Sequence, residues 1–344
     1  MTNNLKLLDL DSFKTKLERE LSVVFDEFEN NFDSNLTSAL RDFVLRGGKR
    51  YRSWLIYLGY NFNQVKEISS PFLRLCVAIE LVHAYLLIHD DIMDESKLRR
   101  GQPTVHEVFA KNKDLAYGTT MAILAGDLAQ SLAYELISNT DFNALRVVEI
   151  INSLSSTLNS TILGQELDVG FSHLSPTEEE VIDMYRLKTA SYSFELPLKI
   201  GLIASGTEYD LDSLRRFAQN TGIAFQIRDD ALGLVGLPDE TGKALGEDIS
   251  LGKQTLLTVA MKSRMSTSQS EQFNRVFGQK KLTSKDIEIF KNLAIESGAM
   301  DHVNDLAEKY LDSALSDITE IADINELVEN QLRTLVENIN KRSK

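Results

Sequence analysis

The stretch SPFLRLCVAIELVHAYLLIHDDIMDE, Ser70 to Glu95, decides the fold. Ser70 followed by Pro71 reads as a helix N-cap and first helical position. Apolar residues then occupy every face, and a helix apolar all round belongs inside a protein, so this one is expected at the centre of a set of helices. It ends in the acids Asp90, Asp91 and Asp94. With 3.6 residues per turn, His83, Asp90 and Asp94 fall within roughly one stripe. Outward from this helix the chain reads as helix again. Of 5 prolines, all but Pro197 stand at apparent helix starts or loops, and apolar residues recur at three- and four-residue spacing. Ser175, Pro176 and the acids Glu178 to Glu180 open a second helix, which Pro197 should kink or interrupt. A third runs from about Asp212 to Val235 and stops at the glycine-rich loop GLPDETGKALGED. From about Lys281 onward apolar and charged positions alternate in surface-helix fashion. No low-complexity linker divides the 344 residues, so residues 1–344 are expected to form one all-α domain.

Composition sets the partners. Hydrophobic residues make up 43% of the chain and charged residues 26%, with a formal net charge of −14, which disfavours nucleic acid or an anionic lipid surface as main partner. The one cysteine, Cys76, lies in the apolar run, so a disulfide is excluded and core packing is expected. No uninterrupted apolar run reaches 18 residues, and the opening MTNNLKLLDLDSF lacks the blocks of a signal peptide, so a cytoplasmic chain without a membrane span is expected.

A second acidic group lies at the end of the third helix, where Gln226, Asp229 and Asp230 share a face. Carboxylates crowded on one buried face repel each other and need a cation; with hardly any histidine or cysteine near, Mg²⁺ fits. One such cluster alone is more often a solvated helix end; two beside apolar runs shift the balance. Bases gather in the loops that follow: Arg99 and Arg100 after the first cluster, Lys243 and Lys253 after the second, and Lys49, Arg50 and Arg52 in GGKRYR. GGKR by itself could be an ordinary turn. Together, acids for metal and bases for phosphate describe a site for a diphosphate ester, and the apolar core implies a hydrocarbon tail.

GGKRYR, HDDIMDESKLRRGQPT (residues 89–104), LKTA (187–190), FQIRDD (225–230), TGKALGEDI (241–249) and Gly252-Lys253 resemble, in order and spacing, the motifs of the polyprenyl synthetase family of trans-isoprenyl diphosphate synthases. The likeness runs from about Leu40 to the C-terminus. It implies the all-α isoprenoid synthase bundle around a central apolar cavity, a homodimer, and condensation of an allylic diphosphate with isopentenyl diphosphate. It further implies that Asp90, Asp94 and Asp229, supported by Asp91 and Asp230, ligate three Mg²⁺ ions on the allylic diphosphate, which Arg99, Lys188, Lys243 and Lys253 also hold. Lys49, Arg52, His83 and Arg100 would grip isopentenyl diphosphate, Thr189 and Gln226 would line the reacting centre, and Gln165 and Asp168 of GQELD would support it. Three departures stand out. Gly233 sits where a third aspartate is most often found, with Asp248 as a substitute acting through water; Ser53 replaces the usual proline; Ala190 replaces a common glycine.

The floor of the tail tunnel should lie one turn before Asp90, at Leu86 and Tyr85. Ideal geometry puts Leu86 roughly 40° from Asp90 around the axis and Tyr85 about 140° away, reaching the tunnel from its side. A bulky Tyr85 resembles enzymes making C20 or C15 products, and geranylgeranyl diphosphate is favoured over farnesyl or longer products. Competing readings are a metal phosphohydrolase built on His83, His89 and Asp90, a di-iron bundle using Glu80 and His83, which lacks a second ExxH, a terpene cyclase, which has no use for GGKRYR, and a non-catalytic subunit of a heteromeric prenyltransferase.

Overall fold

The computed structural model describes residues 6–207, 211–235 and 246–341. Helix accounts for most of them: α1 (Leu10–Asn31), α2 (Asn35–Leu45), α3 (Tyr51–Tyr60), α4 (Ser70–Met93), α5 (Val105–Ala110), α6 (Leu115–Ser138), α7 (Ala144–Phe171), α8 (Glu178–Tyr185), a π-helical stretch (Arg186–Glu195), α9 (Leu196–Ser205), α10 (Leu211–Val235), α11 (Glu247–Ser250), α12 (Leu256–Arg264), α13 (Thr267–Val276), α14 (Ser284–Glu296), α15 (Ala299–Thr319) and α16 (Glu326–Lys341). Among the described residues the strands are confined to a two-residue pair, β1 (Leu98–Arg99) and β2 (Gln102–Pro103). The all-α expectation holds. Contacts group the chain into two compact units, the first comprising residues 1–155, 196–209 and 323–328, the second 156–195, 210–322 and 329–344.

In the first unit α4 is the inner helix, packed on α6, α1, α3 and α2. Phe72, Leu75, Cys76, Val77, Ile79, Leu81 and Ile88 are all buried, on every side of the axis. Each such side chain contributes roughly 1.5–3 kcal/mol of transfer free energy. By length and composition α4 is apolar enough to cross a membrane, but 61% of its most apolar window is buried inside the protein. Burial pushes the Cys76 thiol well above its ordinary pKa, which fits packing rather than reactivity. The helix start falls one residue earlier than the sequence suggested. Ser69 is the N-cap and accepts from Phe72 N–H at 3.3 Å, because the hydroxyl of Ser70 is turned to Glu20 at 3.0 Å.

In the second unit α10 packs on α15 and on the π-helical stretch, over a core that includes Tyr185, Ile223, Ile227, Leu256, Phe273 and Phe290. Thr177, not Ser175, caps α8: its side chain and that of Glu180 form a reciprocal capping box, and Pro176 stays outside. Pro197 does not break the helical path. It falls in the first turn of α9, where a missing N–H is tolerated, and the irregularity expected of it lies just before, in wide i→i+5 turns from Arg186 to Glu195.

Candidate active site

The first acidic group is fixed by the end of α4. Asp94 is the C-cap, its N–H bonded to Asp90 O at 2.8 Å; Asp91 is 1% exposed and Asp94 6%. The chain then turns through the β1–β2 hairpin, whose two turn residues, Arg100 (φ 55) and Gly101 (φ 71), are both left-handed as a tight hairpin requires. The sequence reading missed this hairpin, since an Arg-Gly pair is a weak turn signal. It sends Arg99 back to the acids: Nε donates to Asp91 Oδ1 at 2.8 Å and Nη2 reaches Asp90 Oδ2 at 3.3 Å. Burial opposes the charge of Arg99, but Asp91, Asp90 and Asp94 outweigh it and hold the guanidinium above its ordinary pKa. In this structure Arg99 therefore serves as counterion to the aspartates.

Arg100, at the hairpin tip, donates to the carbonyl of Gly47. Its guanidinium lies against Gly48, where an added Cβ would come within 2.9 Å of Nη2. Burial, with Arg50 nearby, pushes Arg100 down to about 10, although Glu80 acts in the opposite direction. Arg52 Nη1 donates to His83 Nε2 at 3.1 Å. His83 is held well below its ordinary pKa by burial first and by Arg52 and Arg100 next, so its ring is neutral and accepts. Lys49 is exposed on the same loop. Arg52, His83 and Arg100 thus form one neighbourhood in the first unit, and Lys49 belongs to the segment just before α3.

The second unit carries the other half of the candidate residues. Gly164 of α7 lies so close to the π-helical backbone that a Cβ there would be 2.6 Å from Lys188 N, and one turn later Asp168 Oδ2 accepts from Lys188 Nζ at 2.6 Å. Lys253 Nζ stands 3.9 Å from the same oxygen. Gln165 lies one helical turn from Asp168 and is half-buried. From the opposite side Gly222 of α10 makes room for Ala190, which accounts for the alanine. Thr189 Oγ1 donates to Gln226 Oε1 at 2.8 Å, and Gln226 Nε2 donates to Asp230 Oδ1 at 2.7 Å. The other oxygen of Asp230 accepts from the phenol of Tyr185. Burial raises Asp230 to about 7; the Tyr185 bond counters this, while Asp248 and Asp229 add to it. Asp229 itself is exposed. Asp248 Oδ2 lies 3.2 Å from where a Cβ on Gly233 would be, so a carboxylate does face the missing third aspartate. Lys243 lies outside the described residues.

Tyr85 meets His89 edge-on, ring centroids 4.8 Å apart, and its phenol is raised by burial and by Asp127. Leu86 beside it is half-buried. His89 Nε2 is 3.2 Å from Ile123 O on α6, the hydrogen-bonded histidine rather than a ligand. Glu80 is spent on Arg50 at 2.9 Å and His83 on Arg52, which leaves the di-iron reading without its ExxH. Tyr185 and the Arg50–Glu80 pair escaped the sequence reading. A carboxylate inside an otherwise apolar helix was the available signal for the latter, since a buried charge demands a partner.

A polyprenyl synthetase family model matches residues 33–293. The short chain isoprenyl diphosphate synthase of Methanocaldococcus jannaschii is 34% identical over 79% of this chain and 78% of its own length. The geranylgeranyl diphosphate synthase of Saccharolobus solfataricus is 30% identical over 92% of this chain and 97% of its own. Among solved structures, the geranylgeranyl pyrophosphate synthase of Corynebacterium glutamicum, complexed with isoprenyl diphosphate and magnesium, superposes with a TM-score of 0.91 at 31% identity, covering 97% of this chain and 100% of its own.

Proposed function

The chain belongs to the polyprenyl synthetase family, and from that premise we propose that it condenses an allylic diphosphate with isopentenyl diphosphate, making chiefly the C20 geranylgeranyl diphosphate. The observation that carries the reading is the charge pattern of the first unit. Acids that call for cations end α4, and Arg52 and Arg100 lie beside a neutral His83, with Lys49 exposed just before α3.

In the reaction the allylic C–O bond breaks, and diphosphate leaves with the electron pair. The allylic carbon bonds to the isopentenyl double bond, and the adduct loses a proton to the departing diphosphate. Lys188 and Lys253 neutralise that leaving group, with Arg99 and Lys243 assigned beside them. Lys49, Arg52, His83 and Arg100 hold the second substrate still, with His83 accepting from Arg52 so that the guanidinium keeps its orientation. Thr189 and Gln226 turn their dipoles to the developing cation. Asp90 and Asp94 of the first unit and Asp229 of the second are assigned to the metal, with Asp91 and Asp230 orienting them.

The donors fit Mg²⁺. They offer only carboxylate oxygen, the hard ligand that this ion prefers. Three Mg²⁺ ions, when bound, supply the charge neutralisation that makes diphosphate a good leaving group. The whole chain, residues 1–344, is read as one catalytic domain. Homodimerisation in the cytoplasm completes the reading. It draws support from the exposed apolar residues Ile123 and Leu124 on α6 and Leu145 and Val148 on α7.

The test is to incubate the protein with labelled isopentenyl diphosphate, dimethylallyl diphosphate and Mg²⁺, then chromatograph the dephosphorylated products. A C20 alcohol that disappears when the metal is chelated is expected. Absence of any prenyl product with Mg²⁺ present would refute the reading.

A further inference from the structure

Arg50 begins α3 with a left-handed backbone, φ 53, and no side-chain cap, a conformation that non-glycine residues adopt only when their surroundings impose it. Its guanidinium is 3% exposed. Nη1 donates to Glu80 Oε2 at 2.9 Å, Nη2 donates to Val44 O at the end of α2 at 2.8 Å, and Nε lies 3.4 Å from Glu18 of α1. Glu80 is equally buried, and its second oxygen accepts from Ser53 Oγ at 2.7 Å. Three residues further along α4, His83 accepts from Arg52. Two rungs one helical turn apart therefore join the start of α3 to α4, and the residues carrying them, Arg50 and Arg52, alternate with Lys49 and Tyr51 on the loop.

A fully buried ion pair gives little net stability compared with apolar side chains of the same size; what this one adds is direction, since Arg50 is hydrogen-bonded to both Glu80 and Val44 O. Here it immobilises a strained glycine-containing loop from beneath, where cations would otherwise spread apart by mutual repulsion. We infer that Arg50, Glu80 and Ser53 are positioning residues for isopentenyl diphosphate, forming a buried strut that holds the Gly47–Arg52 loop in the shape that receives the diphosphate. The inference rests on the substrate reading given above for Lys49 and Arg52.

The decisive experiment uses Glu80→Gln, Ser53→Ala and the double variant Arg50→Met with Glu80→Met, all in the full chain. Michaelis constants for both substrates, turnover and thermal midpoint are measured, and isopentenyl diphosphate binding is measured by calorimetry. Loss of the strut raises the constant for isopentenyl diphosphate about 10- to 100-fold, the effect of roughly 1 Å of misplacement, and leaves that for the allylic diphosphate within about two-fold. Ser53→Ala, which removes only a hydroxyl, shifts it in the same direction by a smaller factor. The double variant melts at or above the wild-type temperature and still binds isopentenyl diphosphate weakly. Wild-type affinity in a folded double variant or in Ser53→Ala overturns the inference, as does equal weakening toward both substrates. A wild-type chain that makes no prenyl product overturns the substrate reading itself, and this inference with it.

Discussion

The phenol of Tyr185 donates its hydrogen bond to Asp230, while its oxygen accepts the N–H of Leu256 at 2.9 Å. One buried hydroxyl thus ties the second aspartate pair on α10 to the start of α12, directly after the Lys253 loop. With Gln226 on the other oxygen, both oxygens of Asp230 are engaged, while its neighbour Asp229 is exposed.

Tyr185→Phe removes that hydroxyl. Leu256 N–H loses its acceptor, and the protein should be destabilised by about 1–3 kcal/mol. The Mg²⁺ concentration giving half-maximal activity should rise several-fold while the Michaelis constant for isopentenyl diphosphate stays near wild type, which a magnesium titration at saturating substrate will show.

Asp230 makes the metal-free protein sensitive to pH. Its folded value of about 7 lies above the ordinary 3.8, so between these values the native state holds a proton that the unfolded chain has lost. The contribution to stability is full below about 4 and is lost as pH rises through 7. Thermal midpoints in chelator should therefore fall from pH 5 to pH 8, and Asp230→Asn should flatten that slope. Magnesium with inorganic pyrophosphate should stabilise the wild type more at pH 8 than at pH 6.

Tyr85 stands edge-on to His89, with Asp127 of α6 near enough to act on its phenol. Tyr85→Ala should open this space and lengthen the product beyond C20, with turnover of the first condensation little changed. Chromatography of products from the variant decides it, and an unchanged C20 profile removes Tyr85 from the floor.

Gly222 is the narrow point between α10 and the π-helical stretch. An alanine Cβ there would lie 2.6 Å from the Cβ of Ala190, an overlap that costs about 1–3 kcal/mol in a packed core. Because the residue pushed aside adjoins Thr189, Gly222→Ala should also lower turnover. A thermal melt together with a steady-state assay tests both.

Much of this protein was legible in its sequence. The all-round apolar face of Ser70–Met93 and the three- and four-residue periodicity elsewhere fixed an all-α fold, because those features are local consequences of 3.6 residues per turn. Adjacent aspartates and lysine-bearing loops likewise raised the expectation of diphosphate and metal, since clustered like charges need partners wherever they are placed.

The partners themselves were settled by tertiary contacts. Sequence could not say that Arg50 turns inward to Glu80 while Arg52 meets His83, that a two-residue hairpin returns Arg99 to Asp91, or that Tyr185 reaches Asp230 across 45 positions of chain. Nor did propensity foretell the π-helical turns at Lys188 and Thr189, which sit where Gly164 and Gly222 let neighbouring helices close in. Periodicity encodes which face of a helix is buried; which buried groups meet depends on how separate helices pack, and the free energy of those meetings belongs to the folded chain as a whole.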